Sequence, residues 1–553
     1  MATLSQWIEP DAYEYDNTTI VDRTMKKMEN FPDAVPFIER SLSGSRRSLT
    51  NQEFVQKVIK IAKYLVSFGV KKGDKIAIFG KNSLEWIIGE FAIFFAGAVS
   101  VHINITNRDA SDAIETLGIC KCRFLLIDPT ENSGAQALIP QFKLTDDSNH
   151  VLLLRKNGKW DFNDLESELN VPEHEVELPK VDVGDGAVIF TTSGSTGNPK
   201  LVLHTHSGIV YSIPNDENNP TFKHFGGPSK FKLFNDRTFS WLGGSPLVSF
   251  LYGNQILFMP SVTHPSKEQA VQIWNIIREE KCMGGCFLPF LLQNMVDTHV
   301  GPGEDDFKLI MLFSGGQVLD ETFIQKTWQY CKTLYVGYGF TESFSSISAL
   351  TLNEGQPYYK GFVGKVAKGV ELRIVDEFDN VMELESQGEI QIRQKSLFKE
   401  YFANDQLTKN AFTASGWFRT GDIGFLREGG VLVITGRKKD IISRGTRKIM
   451  PGGIEDTVRK MSGIKEVVVV GVPDDRLLEE ICVCFISDEG VDLTAEDVEG
   501  FCKNIYLKEE AADGMGDMPR YFLRFDSFPL LNHSKMNKVE LKLQAALKLK
   551  LEK

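Results

Sequence analysis

Cysteine is scarce, with eight in 553 residues. So thin a set cannot staple a chain of this length, which excludes a secreted disulfide framework. Cys120 and Cys122, and Cys482 and Cys484, stand two apart, a spacing that predicts each pair on one face of a strand. No further pair stands at zinc-ligand spacing, so buried thiols in a reducing compartment are expected. There is no strong basic block either. With a formal net charge of −12 the chain lacks the electrostatic footprint of a nucleic-acid binder. An anionic nucleotide stays admissible, because a local cradle outweighs the global field. Long apolar runs are also missing. The most apolar stretch, Trp86 to Ile103, is interrupted by Glu90 and Gly97 and reads as a helix feeding a strand, so no stable membrane insertion is expected. The N-terminal residues have neither the basic start nor the apolar core of a secretory signal, and the last three form no lipidation or peroxisomal tripeptide. Cytoplasm is the default compartment, with the mitochondrion and peroxisome left open.

What is present is an ordinary globular composition, 42% hydrophobic and 25% charged. The length is too great for one compact core, so two or more domains are expected. Apolar residues at helical spacing (Phe54, Val58, Ile61, Ala62, Leu65) predict a helix over 51–69 that stops at Gly69. Strands are predicted at Lys75–Phe79 and Gly97–His102, with a helix at Leu84–Ala96 between them. Strands alternating with helices imply βαβ units and a largely parallel sheet. After about residue 436 the character changes. A short helical face (Ile454, Val458, Met461) and two strands (Val467–Val470, Ile481–Ile486) predict a small α+β domain. The charged, glycine-led Gly436–Asp440 separates it from the rest as a hinge.

The most loaded stretch is Thr191–Lys200, which follows the apolar strand Ala187–Phe190. Glycines let backbone N–H groups turn toward an anion without a Cβ clash. Hydroxyls and a lysine add donors and charge, so the segment reads as a phosphate cradle. It is not the P-loop of nucleotide triphosphatases, whose glycines are differently spaced and whose lysine precedes Ser or Thr. Here Leu201 follows Lys200. Further on, Tyr338-Gly-Phe-Thr-Glu342 sets an aromatic ring suited to a purine beside a hydroxyl and a carboxylate. A carboxylate among phosphates is accounted for by a magnesium ion. Asp422, in a Gly-Asp-Ile-Gly segment that reads as a turn, has two acceptor oxygens for ribose hydroxyls. Arg437 is a forked donor for phosphate or ribose oxygens.

Taken in order, these segments resemble the acyl- and aryl-CoA synthetase superfamily. These are adenylate-forming (AMP-binding) enzymes that also include beetle luciferases and peptide-synthetase adenylation domains. The resemblance runs from about residue 45 to about 545. It rests on Thr191–Lys200, Ser314–Val318, Tyr338–Ser343, Gly416–Gly424, Gly436–Asp440 continuing to Gly445, and Lys535 within Pro529–Lys538. It implies an α/β fold: a large multi-layer N-terminal domain with parallel-rich sheets over 1–436, a hinge at 437–440, and a small mobile α+β domain over 441–553. It implies ATP, Mg2+ and coenzyme A as cofactors and a carboxylic acid as substrate. The nucleotide would meet Thr192, Ser193, Gly194, Ser195, Thr196, Gly197, Lys200, Gly316, Gln317, Tyr338, Gly339, Asp422, Arg437 and Gly445. Thr341, Glu342, Lys439 and Lys535 would be catalytic, with Glu342 holding the metal and Lys439 the pivot.

The implied reaction makes an acyl-adenylate and pyrophosphate, then acyl-CoA and AMP. Arg444, Arg447 and Lys448 are candidates for the coenzyme A phosphates, equally readable as a solvated charge run. Phe239–Gly244, Ser314–Gln317 and the residues after Glu342 would line the acid pocket, with Trp241 and Phe344 bounding it. A medium-length fatty acid is the expected substrate. Aryl or short-chain acids, a luciferase-like or carrier-loading enzyme, and a non-catalytic relative are the alternatives. The sequence departs from the family at Leu201, Gly453, Leu478, Ser534, Lys538 and Phe239–Gly244. None of these removes a group that handles the nucleotide.

Overall fold

The structure is a computed structural model. It describes all residues except 1–3, 11–16, 104, 106–109, 131–132, 147, 157, 193–199, 214–223, 226, 261–265, 288, 299–305, 316–318, 320, 446, 507–516, 531–535 and 552–553.

Period-two alternation explains the layering. In strand Lys75–Phe79, Ile76 and Ile78 enter one hydrophobic cluster while Ala77 and Phe79 enter another on the opposite face. In strand Gln255–Phe258, Ile256 and Phe258 join the first cluster and Leu257 a third. A strand apolar on both faces needs cover on both. The first cluster therefore lies between two sheets, filled by helices Asn51–Ser67 and Leu84–Phe95. Beyond the seven-stranded sheet lie helices Ser111–Cys120 and Ser133–Thr145. Beyond the fourteen-stranded sheet lie helices Lys267–Glu279, Pro289–Asp297 and Glu321–Thr327. The fold is thus α/β, with five alternating layers.

The seven-stranded sheet is parallel through five strands. It ends in two antiparallel ones, Lys200–Thr205 and Glu400–Tyr401. The fourteen-stranded sheet is mixed. Its parallel run ends at Cys331–Tyr338, from which Ser348–Asn353 begins an antiparallel half. A separate five-stranded sheet forms the C-terminal lobe. Helices Pro451–Arg459 and Ala495–Tyr506 cover one of its faces and Lys538–Lys548 the other. Among the described residues no helix is long and apolar enough to cross a membrane.

Two local expectations need correction. Cys120 ends a helix, and Cys122 follows Lys121, whose φ of 53° breaks the chain direction, so this pair is not on a strand. Cys482 and Cys484 do share a strand face, with sulfurs 4.0 Å apart, and all eight cysteines are free thiols. Asp422 lies in strand Phe418–Arg427 and not in a turn.

Candidate functional site

Strand Gly186–Thr192 runs out of the core and strand Lys200–Thr205 returns beside it, with Thr192 opposite Lys200. The expected phosphate-loop residues Ser193, Gly194, Ser195, Thr196 and Gly197 lie outside the described residues. So do Gly316, Gln317 and Lys535. Both flanks of the loop are described. Lys200 holds its ammonium 5.0 Å above the ring of Tyr401, a cation–π contact. The Tyr401 hydroxyl donates to Glu342 Oε1 at 2.6 Å. Burial, and then the Glu342 carboxylate, push that phenol far above its ordinary range, so it stays a donor. A lysine, an aromatic ring and a carboxylate from three separate segments are thereby tied together.

Glu342 sits in the single turn Thr341–Ser343, which is clamped from several sides. Its backbone carbonyl accepts from Phe398 N at 2.8 Å. The Thr341 carbonyl accepts from His204 Nε2 at 2.8 Å. The Ser343 carbonyl accepts from Gln394 Nε2 at 2.7 Å and Ser396 Oγ at 3.1 Å. Burial lowers His204 to about 4, which keeps the ring neutral with Nε2–H aimed at Thr341. The turn closes on Phe344 at φ 59°, with its ring against His204 at 5.0 Å. Gly339 is required on its approach, since a Cβ there would stand 2.8 Å from the Ser345 carbonyl oxygen.

Tyr338 ends its strand with its hydroxyl donating to Asp422 Oδ2 at 2.5 Å. Asp422 is paired in register with Arg437, whose Nε lies 3.0 Å from Oδ1. Only 4% of Asp422 is exposed. Burial raises its carboxyl above the usual carboxylate range, against the pull of Arg437 and of the Tyr338 hydroxyl. The neighbouring glycines read as turn formers but serve the strand. Gly421 has φ 70°, and a Cβ on Gly424 would come 2.3 Å from the Val433 carbonyl oxygen.

Lys438 pairs with Glu389 at 2.8 Å in the turn Lys438–Asp440. Lys439 next to it is exposed yet partly hemmed in by protein, which lowers its ammonium. Arg437 and Lys200 push it the same way, while Asp440 and Asp422 oppose them. The expected pivot therefore lies within electrostatic reach of both halves of the site. Gly445, at φ 59°, donates its N–H to the Leu477 carbonyl at 2.7 Å.

The three basic residues beside it have protein partners. Arg444 sits 2.6 Å from Glu480, Arg447 3.0 Å from Asp517, and Lys448 donates to Ser443 Oγ at 2.9 Å. Leu478, at one of the departures from the family pattern, has φ 69° with 66% of its surface exposed. That is a backbone conformation in which glycine is at ease and leucine strained.

Two groups at the site carry no motif. Tyr401 belongs to a short edge strand. His204 is legible only through strand phase, since Lys200, Val202 and His204 share one face. Among the described residues there is no cluster of three or more His, Cys, Asp or Glu side chains suited to a metal. A magnesium ion bound mainly by phosphates needs only one carboxylate, and Glu342, with one oxygen taken by Tyr401, fits that role.

The family model for the AMP-binding enzyme matches residues 25–402. The chain is 28% identical over 534 residues to the mitochondrial medium-chain acyl-CoA ligase ACSF2 of Bos taurus, covering 90% of this chain and 83% of that one. It is 27% identical over 495 residues to an oxalate–CoA ligase of Arabidopsis thaliana, covering 88% and 92%. The crystal structure of ATP-bound MatB from Rhodopseudomonas palustris superposes with a TM-score of 0.77 at 19% identity, over 96% of this chain and 99% of that one. With two thirds of its length matched by the family model and the signatures in order, the chain belongs to the AMP-binding enzyme family, the adenylate-forming acyl-CoA synthetase superfamily.

Proposed function

We propose that this AMP-forming acid–CoA ligase activates a medium-chain fatty acid, and that the residues gathered above do the work in two steps. The observation that carries the reading is the convergence of Lys200, Tyr401 and Glu342 beside the Tyr338–Asp422–Arg437 set. One group is suited to phosphates and the other to a nucleoside. In the first step the acid's carboxylate attacks the α-phosphorus of ATP, forming the acyl-adenylate and releasing pyrophosphate. Lys200 and the Thr192–Gly197 loop hold phosphate oxygens. Glu342 orients the metal-bound phosphates, and magnesium supplies charge neutralisation when bound. Tyr338 lies against the base with Gly316 and Gln317, and Asp422 accepts from the ribose hydroxyls. Lys535 stabilises the charge that builds on phosphorus, a contribution of about 3 kcal/mol for a preorganised donor. In the second step the coenzyme A thiol attacks the adenylate carbonyl, giving acyl-CoA and AMP.

We further propose a division at 436, a pivot at Lys439 and a mobile lobe over 441–553 that withdraws Lys535 and brings up the Gly445 loop. Core packing supports this, because the hydrophobic clusters of the C-terminal lobe contain only residues from Ile442 onward. The names of the vertebrate relatives favour a medium chain, and that of the plant relative keeps a short diacid as the comparison. The test is pyrophosphate release from MgATP across fatty acids of increasing length, oxalate and benzoate, with and without coenzyme A. Release peaking at medium length and rising with coenzyme A is expected. Release indifferent to coenzyme A, or peaking on oxalate or benzoate, overturns the assignment.

A further inference from the structure

A carboxyl group and an imidazole are sealed together inside the large lobe. Glu90 lies in mid-helix Leu84–Phe95 and His102 ends strand Val99–His102, and both are 0% exposed. Glu90 Oε1 stands 2.7 Å from His102 Nε2, and His102 Nδ1 stands 3.3 Å from the Ser240 carbonyl oxygen. The rings of Trp86 and Phe190 meet the imidazole edge-on at 5.0 and 4.7 Å. Glu90 Oε2 is buried with no partner among the described residues. Full burial leaves no room for a ligand at either group.

The hydrogen bonds fix where the hydrogens lie. A carbonyl only accepts, so Nδ1 carries a hydrogen aimed at Ser240. A contact of 2.7 Å between Nε2 and Oε1 then requires one more hydrogen between them. Burying such a pair with an orphaned oxygen costs free energy that an apolar pair of the same volume would not. The arrangement is better explained by the geometry it imposes than by stability.

What it fixes is the segment 237–244. Asn82, 1% exposed, donates to the Arg237 carbonyl at 2.8 Å and accepts from Phe239 N at 2.9 Å. Asn235 donates to the Gly244 carbonyl at 2.8 Å, and His102 takes the Ser240 carbonyl between them. The loop has no slack, since a Cβ on Gly244 would stand 2.1 Å from the Thr238 carbonyl oxygen. The His102 carbonyl in turn accepts from Thr191 Oγ1 at 3.2 Å, on the strand that leads into the phosphate loop.

We propose that Glu90 and His102 are positioning residues for the acid. Together they set the Ser240 carbonyl and with it the Phe239–Gly244 wall against which the acyl chain is measured, while tying that wall to the phosphate-loop strand. This rests on the reading that the segment lines the acid site.

The test compares Glu90→Gln, Glu90→Leu and His102→Phe in the full-length enzyme. A glutamine amide can donate to Nε2 and leave Nδ1–H on Ser240, so Glu90→Gln should keep the wild-type preference for acid chain length. Glu90→Leu and His102→Phe should raise KM for the acid about tenfold, as one lost anchor predicts, and move the preferred length. KM for MgATP should stay near the wild-type value. Unchanged acid preference in both disruptive variants, or equal rises in KM for acid and ATP, overturns the proposal. Should those variants fail to fold, nitrogen-15 spectra of histidine-labelled wild type decide, and a His102 Nδ1 without its hydrogen overturns it. If no acid releases pyrophosphate from the wild type, the parent reading has failed. Crystal structures of wild type and His102→Phe then isolate the present one, which an unmoved Ser240 carbonyl overturns.

Discussion

Two buried imidazoles should make this protein acid-labile across a defined window. His204 is 0% exposed and His206 1% exposed. Burial lowers both to about 4 from an ordinary 6.5. Near His206, Asp185 and Asp22 pull upward without overcoming it. Each ring is held by one acceptor or donor, His204 Nε2–H on the Thr341 carbonyl at 2.8 Å and His206 Nδ1 under Ile20 N at 3.4 Å. The unfolded chain takes up protons on these residues as pH falls through 6.5, whereas the folded chain refuses them until about 4. Stability is therefore complete above pH 6.5, falls as pH drops through the window, and loses nothing more from these groups below about 4. Each ring should cost about 3 kcal/mol over the window, from roughly 1.4 kcal/mol per pH unit. Domains commonly hold only about 5–15 kcal/mol in total, so a loss of this size from two rings is a substantial fraction of it.

The perturbation is His204→Gln with His206→Asn. A glutamine amide can donate to Thr341 as Nε2–H does, and an asparagine carbonyl can accept from Ile20 as Nδ1 does, while neither titrates. Urea midpoints followed by tryptophan fluorescence should match wild type within about 1 kcal/mol at neutral pH. They should exceed it by about 5 kcal/mol near pH 4.5. A double variant that loses stability toward acid as steeply as the wild type would refute the argument. Activity provides a second readout. The folded wild type keeps His204 neutral down to about 4, so adenylation in it should hold until acid unfolding sets in, and the variant should keep its activity to lower pH.

Other consequences are as direct. Tyr401→Phe keeps the ring under Lys200 but removes the hydrogen bond to Glu342, and should lower kcat/KM for MgATP about tenfold or more, as expected for a hydrogen bond to a charged group. Wild-type turnover in steady-state assays would show that this contact is idle. Tyr338→Phe removes a pull that lowers Asp422, so the carboxyl should rise further. The acid limb of kcat/KM for ATP should then move to higher pH, because ribose recognition needs the ionised form. A pH profile identical to wild type counts against that role. Gly453 lies inside helix Pro451–Arg459, and a Cβ added there would meet nothing within 4 Å. Gly453→Ala should therefore stabilise the C-terminal lobe by about 0.5–1 kcal/mol in thermal or urea melts. A destabilised variant would mean that the position is not open.

Elements were legible where the apolar pattern was local and periodic. The strand Lys75–Phe79 and the helices around Phe54 and Leu84 fall where alternation and helical spacing put them. The arrangement of five layers was not, because the same buried strand pattern serves either sheet. Glycine misled at Asp422. Its neighbours Gly421 and Gly424 spell a turn, yet Gly424 is needed where two strands approach too closely for a side chain.

The site shows a similar limit in sharper form. Motifs identify groups that face a ligand, but not the side chains that hold those groups. Glu342 is held by Tyr401, 59 positions away, and Thr341 by His204, 137 positions away. Nothing in the chemistry of a tyrosine or a histidine alone announces such a task. Only strand phase offers a trace, since placing Lys200 toward the site obliges His204, four residues on, to face the same way. Leu478 gives the converse case. Its identity is plain in the sequence, but only the φ of 69° shows that the hairpin holds a leucine in a conformation where glycine is at ease. Such strain is retained only where the surrounding pairs over-determine the backbone. Here the long Ile464–Asp474 and Leu478–Ser487 ladder closes on Asp474 opposite Leu478, and Leu478 also pairs with Arg444 beside Gly445. The loop at Gly445 and the strained leucine are therefore one mechanical unit, and relaxing Leu478 should be felt first at Gly445.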